Sequence, residues 1–588
     1  MPPTTTCSTA HDVIPGNFHN SEPPPRWRIG GPTLSSHPWY RVAISALLVF
    51  TSTSLAIPAQ PADASKLALG SQQPRGERRL IYNSDLSNTT CHLSEPATAE
   101  ELREVVRNYA RAGQIDTLVQ EVWHQGWSTF WRSEHCRYDS RFQHKRLIPL
   151  LDRGQVPLEI YLKECHRQGM EFIAGIRMND RHGHNPDLFA QLTRDHPRWV
   201  LKEFKPTSRG ADPRSREYGC ALDYTQQGVR DWLFRILSEL AKRYNIDGIE
   251  FNFTRMPECF PRVDAASSHP IMTGFVRRVR QMLGTVERAR GRRLVLGVRV
   301  LQDLDACSQV GLDLPTWIRE GLVQYVAPGD IGFTEFNAPY EEFAQLARDH
   351  GCFIYPQVEA RLQYVRRREH QTPAQYRAVA SNIYGAGCDG LSTQNYFLHW
   401  GPKFSGPGES GLERPKQYPQ ALKTLTQLRD PGALSATDRH FVFHPLWGPQ
   451  GRGPSRTYQP EKIVLPRKPL NRPGAFRFRL CAQLPSHSAA RNTNRMPQLL
   501  FKPHIRRGDT VAITINGQAI PSDLITFAWP DDDASPATAR FNLFSPPAVY
   551  GDNTLTMQLT GSDPGATEPV SLFEIEVTVP GSPTSTAP

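Results

Sequence analysis

The sequence predicts an α/β protein, a (β/α)8 TIM barrel followed by a C-terminal β-sandwich. From residue 79 to about residue 430, short apolar or β-branched runs alternate with amphipathic helical segments, a pattern typical of a parallel sheet wrapped by helices. After about residue 430, apolar residues recur at every second position, as in antiparallel strands. A chain of 588 residues that is 39% hydrophobic is large enough to bury a core in both domains.

The charge balance argues against a nucleic-acid partner. The chain has 68 Lys and Arg residues against 58 Asp and Glu residues, which gives a formal net charge of +10. These basic residues are spread along the sequence and form no known nucleic-acid-binding pattern. We therefore expect no binding to nucleic acid.

The N-terminal part of the chain is predicted to be a disordered extension followed by an export signal. Residues 1–40 are rich in Pro, Ser, Thr and Gly and have no apolar periodicity. Residues 41–64 contain a basic residue, an apolar run and a small-x-small cleavage pattern, which together indicate a signal peptide. The expected location is periplasmic or extracellular. The alternatives are a retained signal anchor and a start codon placed too early. No later apolar run is long enough for a membrane span.

The first domain, predicted at residues 79–430, contains eight candidate strands. They are the segments 79–84, 115–122, 171–178, 247–253, 293–300, 322–328, 352–358 and 389–395. Apolar residues at helical spacing predict helices between them, most clearly at 229–240, 272–286, 341–350 and 373–386. Eight strands separated by helices predict a (β/α)8 barrel. A doubly wound open sheet is the alternative, but no glycine-rich phosphate turn follows the first strand.

Polar residues share the inner face of several predicted strands. In the fourth strand, Ile249, Phe251 and Phe253 should face the helices, so Glu250 and Asn252 should face the barrel interior. The same alternation turns polar residues inward near the ends of the third, fifth and seventh strands: Arg177, Asn179, Arg299, Gln357 and Glu359. Active sites of such barrels lie at the C-terminal ends of the strands, so these side chains should meet at one mouth.

Two of these residues, Glu250 and Glu359, form a candidate catalytic pair. Hydrolysis of a glycosidic bond needs a general acid and a second carboxylate that attacks or stabilises the oxocarbenium-like carbon. We assign Glu250 as general acid/base and Glu359 as nucleophile or general base. Arg177 and Arg299 are expected to lie beside Glu250 and to hold it ionised, and Asn252 is expected to orient carboxylates and sugar hydroxyls. The alternative is a Glu–Arg network that only fills the polar layer of the barrel.

Further residues at the same mouth are assigned to substrate binding. Aromatic residues follow the second and eighth strands, and aromatic faces at a cleft commonly stack on sugar rings. The alternative interpretation is that these aromatic side chains pack the loops against the barrel. The binding candidates are Asn252, Arg177, Asn179, Arg299, Arg255, Trp123, His124, Gln394, Tyr396 and Trp400. Arg255 is alternatively structural, paired with Asp247 or with a loop.

No metal or other cofactor is expected. His182 and His184 lie two residues apart and could chelate, but the strand ends offer no further set with a recognisable ligand pattern. The cysteines are scattered and form no CxxC pair, which argues against a zinc site. A metal-dependent hydrolase that uses this histidine pair is therefore the weakest of the functional hypotheses.

The fourth strand also carries a family resemblance. "IDGIEFNFTRMPECF" resembles the fourth-strand motif of the glycosyl hydrolase-like 10 family, Asp-Gly-(apolar)-x-(apolar)-Asp-Tyr/Phe-x-Arg-x-Pro. The positions that agree are Asp247, Gly248, Ile249, Phe251, Phe253, Arg255 and Pro257. The resemblance covers about residues 79–430 and implies an exported, carbohydrate-active TIM barrel. This chain has Asn252 where the family has Asp, and an amide cannot transfer the catalytic proton. Either Glu250 has taken the acid role or the barrel binds glycan without cutting it.

The second domain, predicted at residues 436–580, should be a β-sandwich. Val511, Ile513 and Ile515 alternate before Asn516 and Gly517, a strong hairpin signal, and similar alternation recurs at 476–482, 553–559 and 572–579. This domain resembles the galactose-binding-like jelly rolls attached to many glycosidases, which implies glycan binding or a structural cap. Residues 581–588 are predicted to be a disordered tail.

These features together predict an exported glycoside hydrolase that acts on a poly- or oligosaccharide. The competing hypothesis is a non-catalytic glycan-binding barrel.

Overall fold

The computed structural model describes most of the chain after residue 79. The described residues are 80–85, 89–90, 92–124, 127–139, 142–180, 186–204, 221–332, 334–362, 370–396, 399, 419–443, 463–484, 497–532, 535–543 and 548–581. The predicted N-terminal extension, the signal segment, His182, His184, Trp400 and the tail after residue 581 lie outside these residues. The side chain of His124 also lies outside them.

In the described part of the chain, eight parallel strands form the sheet of the first domain. They are β1 Leu80–Asp85, β2 Thr117–His124, β3 Glu171–Arg177, β4 Gly248–Asn252, β5 Val295–Val300, β6 Tyr325–Pro328, β7 in two pieces (Phe353–Ile354 and Gln357–Glu359) and β8 Leu391–Gln394. Each strand from β1 to β5 pairs with the next one, and β8 pairs with β1. The two pieces of β7 close the ring, since the first pairs with β6 and the second with β8.

Helices follow the strands and cover the outside of the ring. They are α1 Ala99–Arg111, α2 Pro157–Arg167, α3 Gln227–Arg243, α4 His269–Arg290, α5 Leu314–Arg319, α6 Tyr340–Ala347 and α7 Pro373–Gly385. Further helices occupy the connections at Phe142–Lys145, Ile148–Asp152, Pro186–Asp195, Leu304–Gln309, Lys423–Thr426 and Pro431–Ser435. Capping boxes at Thr98 and Thr372 satisfy backbone N–H groups where α1 and α7 begin. None of the helices in the described ranges combines the length and apolarity that a membrane crossing requires.

The strands separate two apolar clusters. Ile249, Phe251 and Phe253 are buried in the large cluster between the ring and its helices, as the sequence predicts. A second cluster, drawn mainly from the N-terminal halves of the strands, fills the ring itself: Ile81, Val119, Ile173, Val295, Tyr325, Ala327 and Tyr355. The inward positions that follow along the strands are mostly polar. The barrel is therefore apolar at its N-terminal end and polar towards its C-terminal mouth.

The second domain consists of antiparallel strands in two main sheets. The strands are β9 Arg439–Phe443, β10 Ile463–Leu465, β11 Pro473–Leu480, β12 Gln498–His504, β13 Thr510–Ile515, β14 Gln518–Ala519, β15 Thr526–Ala528, β16 Thr538–Asn542, β17 Gly551–Gly561 and β18 Val570–Val579. One sheet has the order β9-β18-β12-β16-β15, with β10 also on β18, and the other has the order β11-β17-β13-β14. Asn516 and Gly517 form the predicted hairpin turn, with φ of 52° and 79°. The predicted barrel followed by a β-sandwich is confirmed.

Candidate active site

Glu250 lies in the middle of β4 and points into the barrel, where it is completely buried. Arg299 donates to it from Nε at 3.0 Å and from Nη2 at 3.4 Å, and the hydroxyl of Tyr325 donates to Oε2 at 2.8 Å. Arg299 also donates to Gln357 Oε1 at 3.0 Å and to Ser392 Oγ at 2.7 Å. The Glu250–Arg299 ion pair is therefore fully enclosed and ties together β4 to β8.

Gly297 makes room for this arrangement. A Cβ atom at this position on β5 would lie only 2.1 Å from Cζ of Tyr325. Because position 297 carries no side chain, the Tyr325 ring can cross the interior and reach the carboxylate of Glu250.

Arg177 contacts a different set of carboxylates from the one predicted. It donates to Asp85 and to Asp180 at 2.7 Å each, and it forms a further ion pair with Glu121. The strand register explains why Glu250 is not among these partners. Gly175 is the residue opposite Glu250, and Arg177 lies one layer closer to the mouth, opposite Asn252. Burial lowers the pKa of the Arg177 guanidinium, but the three carboxylates outweigh it and hold this pKa well above its usual value.

Asn252 uses both ends of its amide within the protein. Its Nδ2 donates to Glu121 Oε1 at 3.1 Å, while its Oδ1 accepts from the backbone N–H and the hydroxyl of Thr254 at 3.0 and 2.9 Å. Asn252, Thr254 and Glu121 are all buried, and burial raises the pKa of the Glu121 carboxyl. An amide side chain suits this position, because it donates to the Glu121 carboxylate and accepts from the backbone N–H and the hydroxyl of Thr254.

Glu359 ends β7 and is 1% exposed. Its Oε2 accepts from Asn395 Nδ2 at 2.8 Å and from the backbone N–H of Gly332 at 3.3 Å, and Oε1 accepts from that of Ala360 at 3.2 Å. Burial raises the pKa of the Glu359 carboxyl to about 7, against an ordinary value of 4.5, although these hydrogen bonds favour the ionised form. The site thus holds a carboxyl that titrates near neutral pH.

Asn395 connects Glu359 to Arg255. Its Oδ1 accepts from Arg255 Nη2 at 3.2 Å, and the same guanidinium nitrogen lies 3.7 Å from Asp85 Oδ2. Asn395 has a φ of 52°, in the left-handed region that Asn tolerates better than most residues. Arg255 is therefore part of the network at the mouth and does not contact Asp247. Asp247 instead pairs with Arg292 at 2.5 Å, at the N-terminal end of β4.

The remaining binding candidates differ in what they can offer a ligand. Asn179 is committed to a loop, since its Nδ2 donates to the Glu258 carbonyl at 2.8 Å and its Oδ1 accepts from Leu222 N–H at 2.8 Å. Trp123 and Tyr396 are buried, and Tyr396 donates to the Ala421 carbonyl at 2.6 Å.

Trp123 and Tyr396 are therefore packing residues, as the alternative interpretation has it; the Trp123 ring lies 6.1 Å from that of Trp232 on α3. Gln394 is also fully buried beside Glu359, and neither of its amide atoms has a hydrogen-bond partner among the described residues.

Sequence reasoning missed several residues of these networks, among them Asp85, Glu121, Asp180, Tyr325, Ser392 and Asn395. The alternation of inward and outward residues, applied to β1 and β2 as it was to β4, points Glu121 inward and places Asp85 at a strand end. The described residues contain no group of three or more His, Cys, Asp or Glu side chains arranged to hold a metal ion.

Comparison with known proteins identifies part of the barrel. Residues 86–263 match the family described as Glycosyl hydrolase-like 10. The match is to this segment alone. It spans β2, β3 and β4 and therefore includes Arg177, Glu250, Asn252 and Arg255, so the predicted resemblance is confirmed here. Arg299 and Glu359 lie beyond the matched glycosyl hydrolase-like 10 segment. In a sequence comparison, no curated protein matches the chain.

Several solved structures resemble the chain at low similarity. An alpha-L-fucosidase isoenzyme 2 from Paenibacillus thiaminolyticus is 11% identical with a TM-score of 0.37, over 62% of this chain and 51% of that one. An alpha-L-fucosidase from Vibrio sp. strain EJY3 is 9% identical with a TM-score of 0.35, over 85% and 96%. A chitinase from Paenibacillus sp. str. FPU-7 is 10% identical with a TM-score of 0.35, over 84% and 54%. This chain thus spans about half the length of the first and third of these proteins.

Proposed function

We propose that the protein is a glycoside hydrolase in which Glu359 donates the proton to the leaving oxygen. The observation that carries this proposal is the burial of Glu359 at the C-terminal end of a barrel strand, which raises the pKa of its carboxyl to about 7. A carboxyl with this pKa is still protonated in a large fraction of molecules near neutral pH, as a general acid must be. The glycosyl hydrolase-like 10 segment supports the same class of reaction.

This proposal moves the role of general acid from Glu250, where the sequence analysis assigned it, to Glu359. Arg299 and Tyr325 occupy both oxygens of Glu250, which suits an ionic partner better than a proton donor. Asp85, Glu121 and Asp180 add three more carboxylates near the mouth, and the guanidinium groups in contact with this set are those of Arg177, Arg255 and Arg299. Ionised carboxylates at the mouth favour the positive charge that develops on the sugar carbon.

The substrate class and the location of the protein belong to the same proposal. A poly- or oligosaccharide fits a family of glycoside hydrolase-like barrels, and the signal-like pattern at residues 41–64 supports export to the periplasm or the extracellular space.

A second candidate function is glycan binding without hydrolysis. It is favoured by the near-complete burial of Glu359, because a proton donor must reach the glycosidic oxygen. Asn252, in place of the family's Asp, points in the same direction, since it removes one carboxylate from the mouth.

Hydrolysis of an oligosaccharide panel by the wild type, Glu359→Gln and a control, Glu104→Gln, tests the proposal. Glu104 is an exposed glutamate on α1. We expect reducing-sugar release by the wild type and the control, and a loss of roughly 100- to 10,000-fold in kcat/KM for Glu359→Gln. The loss should be much smaller for dinitrophenyl glycosides of the same sugar, because that leaving group departs without protonation.

An equal loss on both kinds of substrate would show that Glu359 is not the proton donor. Saturable glycan binding without any turnover by the wild type would favour the second candidate function.

A further inference from the structure

We infer that the C-terminal sandwich holds the loop behind Glu359 in place, through the side chains of Asn337 and Asn382. The sandwich is then a part of the protein that positions the barrel's site. The structural part of this inference stands alone, and only its consequence for catalysis rests on the proposed function.

The first contact is made by Asn337, which lies between β6 and α6 and is 1% exposed. Its Nδ2 donates to the carbonyl of Arg477 at 2.8 Å, and its Oδ1 accepts from the backbone N–H of Arg479 at 2.8 Å. Both partners lie on β11, which is an edge strand of its sheet. The side-chain amide therefore pairs with the open edge of β11 as the backbone of a neighbouring strand would.

The second contact repeats this pairing two residues further along the same edge. Asn382 on α7 donates from Nδ2 to the Arg479 carbonyl at 2.8 Å and accepts at Oδ1 from the Cys481 N–H at 2.9 Å. Its Nδ2 also donates to the carbonyl of Phe336 at 3.0 Å. One buried amide thus joins α7, the loop at Phe336 and the edge of the sandwich.

Close packing, an ion-pair network and an aromatic contact also join the barrel to the sandwich at this junction. A Cβ atom at Gly385, the last residue of α7, would lie 2.3 Å from the sulfur of Cys481, so this helix needs glycine where it meets the sandwich. Arg479 pairs with Glu341 at the start of α6 and with Asp552 on β17. The Phe336 ring lies 6.0 Å from that of Phe443 on β9.

The loop that the sandwich holds is also the loop that holds Glu359. Thr334 lies three positions before Asn337, and its hydroxyl donates to the Glu359 carbonyl at 3.0 Å and accepts from the Glu359 N–H at 3.1 Å. A shift of residues 334–337 would therefore move the main chain of Glu359. Through this short segment the position of the carboxyl depends on the sandwich.

Hydrogen exchange of the full chain tests the inference without any substrate. In Asn337→Ala and in Asn382→Ala, we expect amides in residues 334–340 and 357–362 to exchange at least about tenfold faster than in the wild type. The core strand β18 should keep its protection, which shows that the sandwich remains folded. Asn542→Ala, an exposed asparagine on β16, is the matched control and should change neither segment.

Gly385→Ala disturbs the same junction without removing a hydrogen-bonding group, and it provides the second test should an asparagine variant fail to fold. Unchanged exchange in residues 334–340, or a change confined to β11, would overturn the inference. Because this measurement needs no turnover, its outcome is separate from that of the proposed function. If the exchange accelerates while kcat/KM stays within about twofold of wild type, the consequence for catalysis is wrong.

Discussion

Asn252 on β4 donates a hydrogen bond of 3.1 Å to Glu121 on β2, two strands away in the barrel. The glycosyl hydrolase-like 10 motif has Asp at this position, and an Asp here would face Glu121 at the same distance. Two buried carboxylates this close cannot both ionise without a large cost. The amide at position 252 is therefore matched to the carboxylate at position 121.

Replacement of Asn252 by Asp should destabilise the protein at neutral pH by roughly 1 to 3 kcal/mol, because it introduces a second carboxylate beside Glu121. The penalty should shrink as the pH is lowered and one carboxyl protonates. Urea unfolding at pH 5 and pH 7.5 measures it. The double variant Asn252→Asp with Glu121→Gln restores a donor and an acceptor and should recover most of the loss. A double variant no more stable than Asn252→Asp would contradict this explanation.

The raised pKa of Glu359 makes stability depend on pH in a definite direction. Between its ordinary value of 4.5 and about 7, Glu359 is protonated in the folded protein but ionised in the unfolded chain. Unfolding then releases a proton, so the Glu359 contribution to stability falls as the pH rises through this window and stays constant above it.

Glu359→Gln should therefore gain stability relative to wild type as the pH rises from 4.5 to 7, by at most about 3 kcal/mol in total. The new amide can also present a donor to the N–H of Ala360, and this cost lowers the stability of the variant equally at every pH without changing the gain. The free energy of unfolding of both proteins, measured by urea at several pH values, tests this. A difference between the two proteins that stays constant across this range would show that the pKa of Glu359 is not raised.

Asn395 should tune the pKa of Glu359, because it donates a hydrogen bond of 2.8 Å to the ionised carboxylate. Removal of this donor in Asn395→Ala favours the protonated form, so the pKa of Glu359 should rise above about 7. If Glu359 is the general acid, the high-pH limb of kcat/KM should move to higher pH in this variant. Asn395→Gly removes the same donor and tolerates the φ of 52°, so it controls for backbone strain. If the high-pH limb of kcat/KM does not move in either variant, Glu359 is not the general acid.

Arg177 is expected to contribute strongly to stability, because it contacts Asp85, Glu121 and Asp180 together. Its replacement by Met leaves buried carboxylates uncompensated, which typically costs about 3 to 5 kcal/mol. Thermal unfolding should show a large decrease in Tm, greater at pH 8 than at pH 5. Arg103→Met on the exposed face of α1 is the control, and it should change stability by less than about 0.5 kcal/mol.

The alternation of residues along each strand predicted which side chains face the barrel interior, but not which partners they meet there. Glu250, Asn252, Arg299 and Glu359 all point inward as expected, because a strand turns successive side chains to opposite faces. The partner of Arg177 depends instead on the stagger between strands, which places it one layer above Glu250.

Other contacts depend on features that have no sequence pattern. Asn395 reaches Glu359 from a left-handed residue just after β8, and Asn337 binds backbone groups 140 and 142 positions away in the chain.

The ion pair between Glu250 and Arg299 offers the final test of which glutamate takes part in chemistry. Each single replacement, Glu250→Leu or Arg299→Met, leaves a buried charge unpaired and should cost about 3 to 5 kcal/mol. The double replacement removes both charges and should cost less than the sum of the two, so a double-mutant cycle measures the coupling.

The folded double variant then separates two roles of Glu250. If Glu250 only maintains the polar layer beneath the mouth, the double variant should keep kcat within about tenfold of wild type at temperatures where both are folded. If Glu250 acts on the sugar directly, kcat should fall by roughly 100-fold or more although the fold is intact. Tyr325→Phe removes one hydrogen bond to Glu250 and keeps the ion pair, so it should cost only about 1 kcal/mol and leave kcat nearly unchanged in either case. A fall in kcat in the double variant but not in Tyr325→Phe would return Glu250 to the catalytic pair.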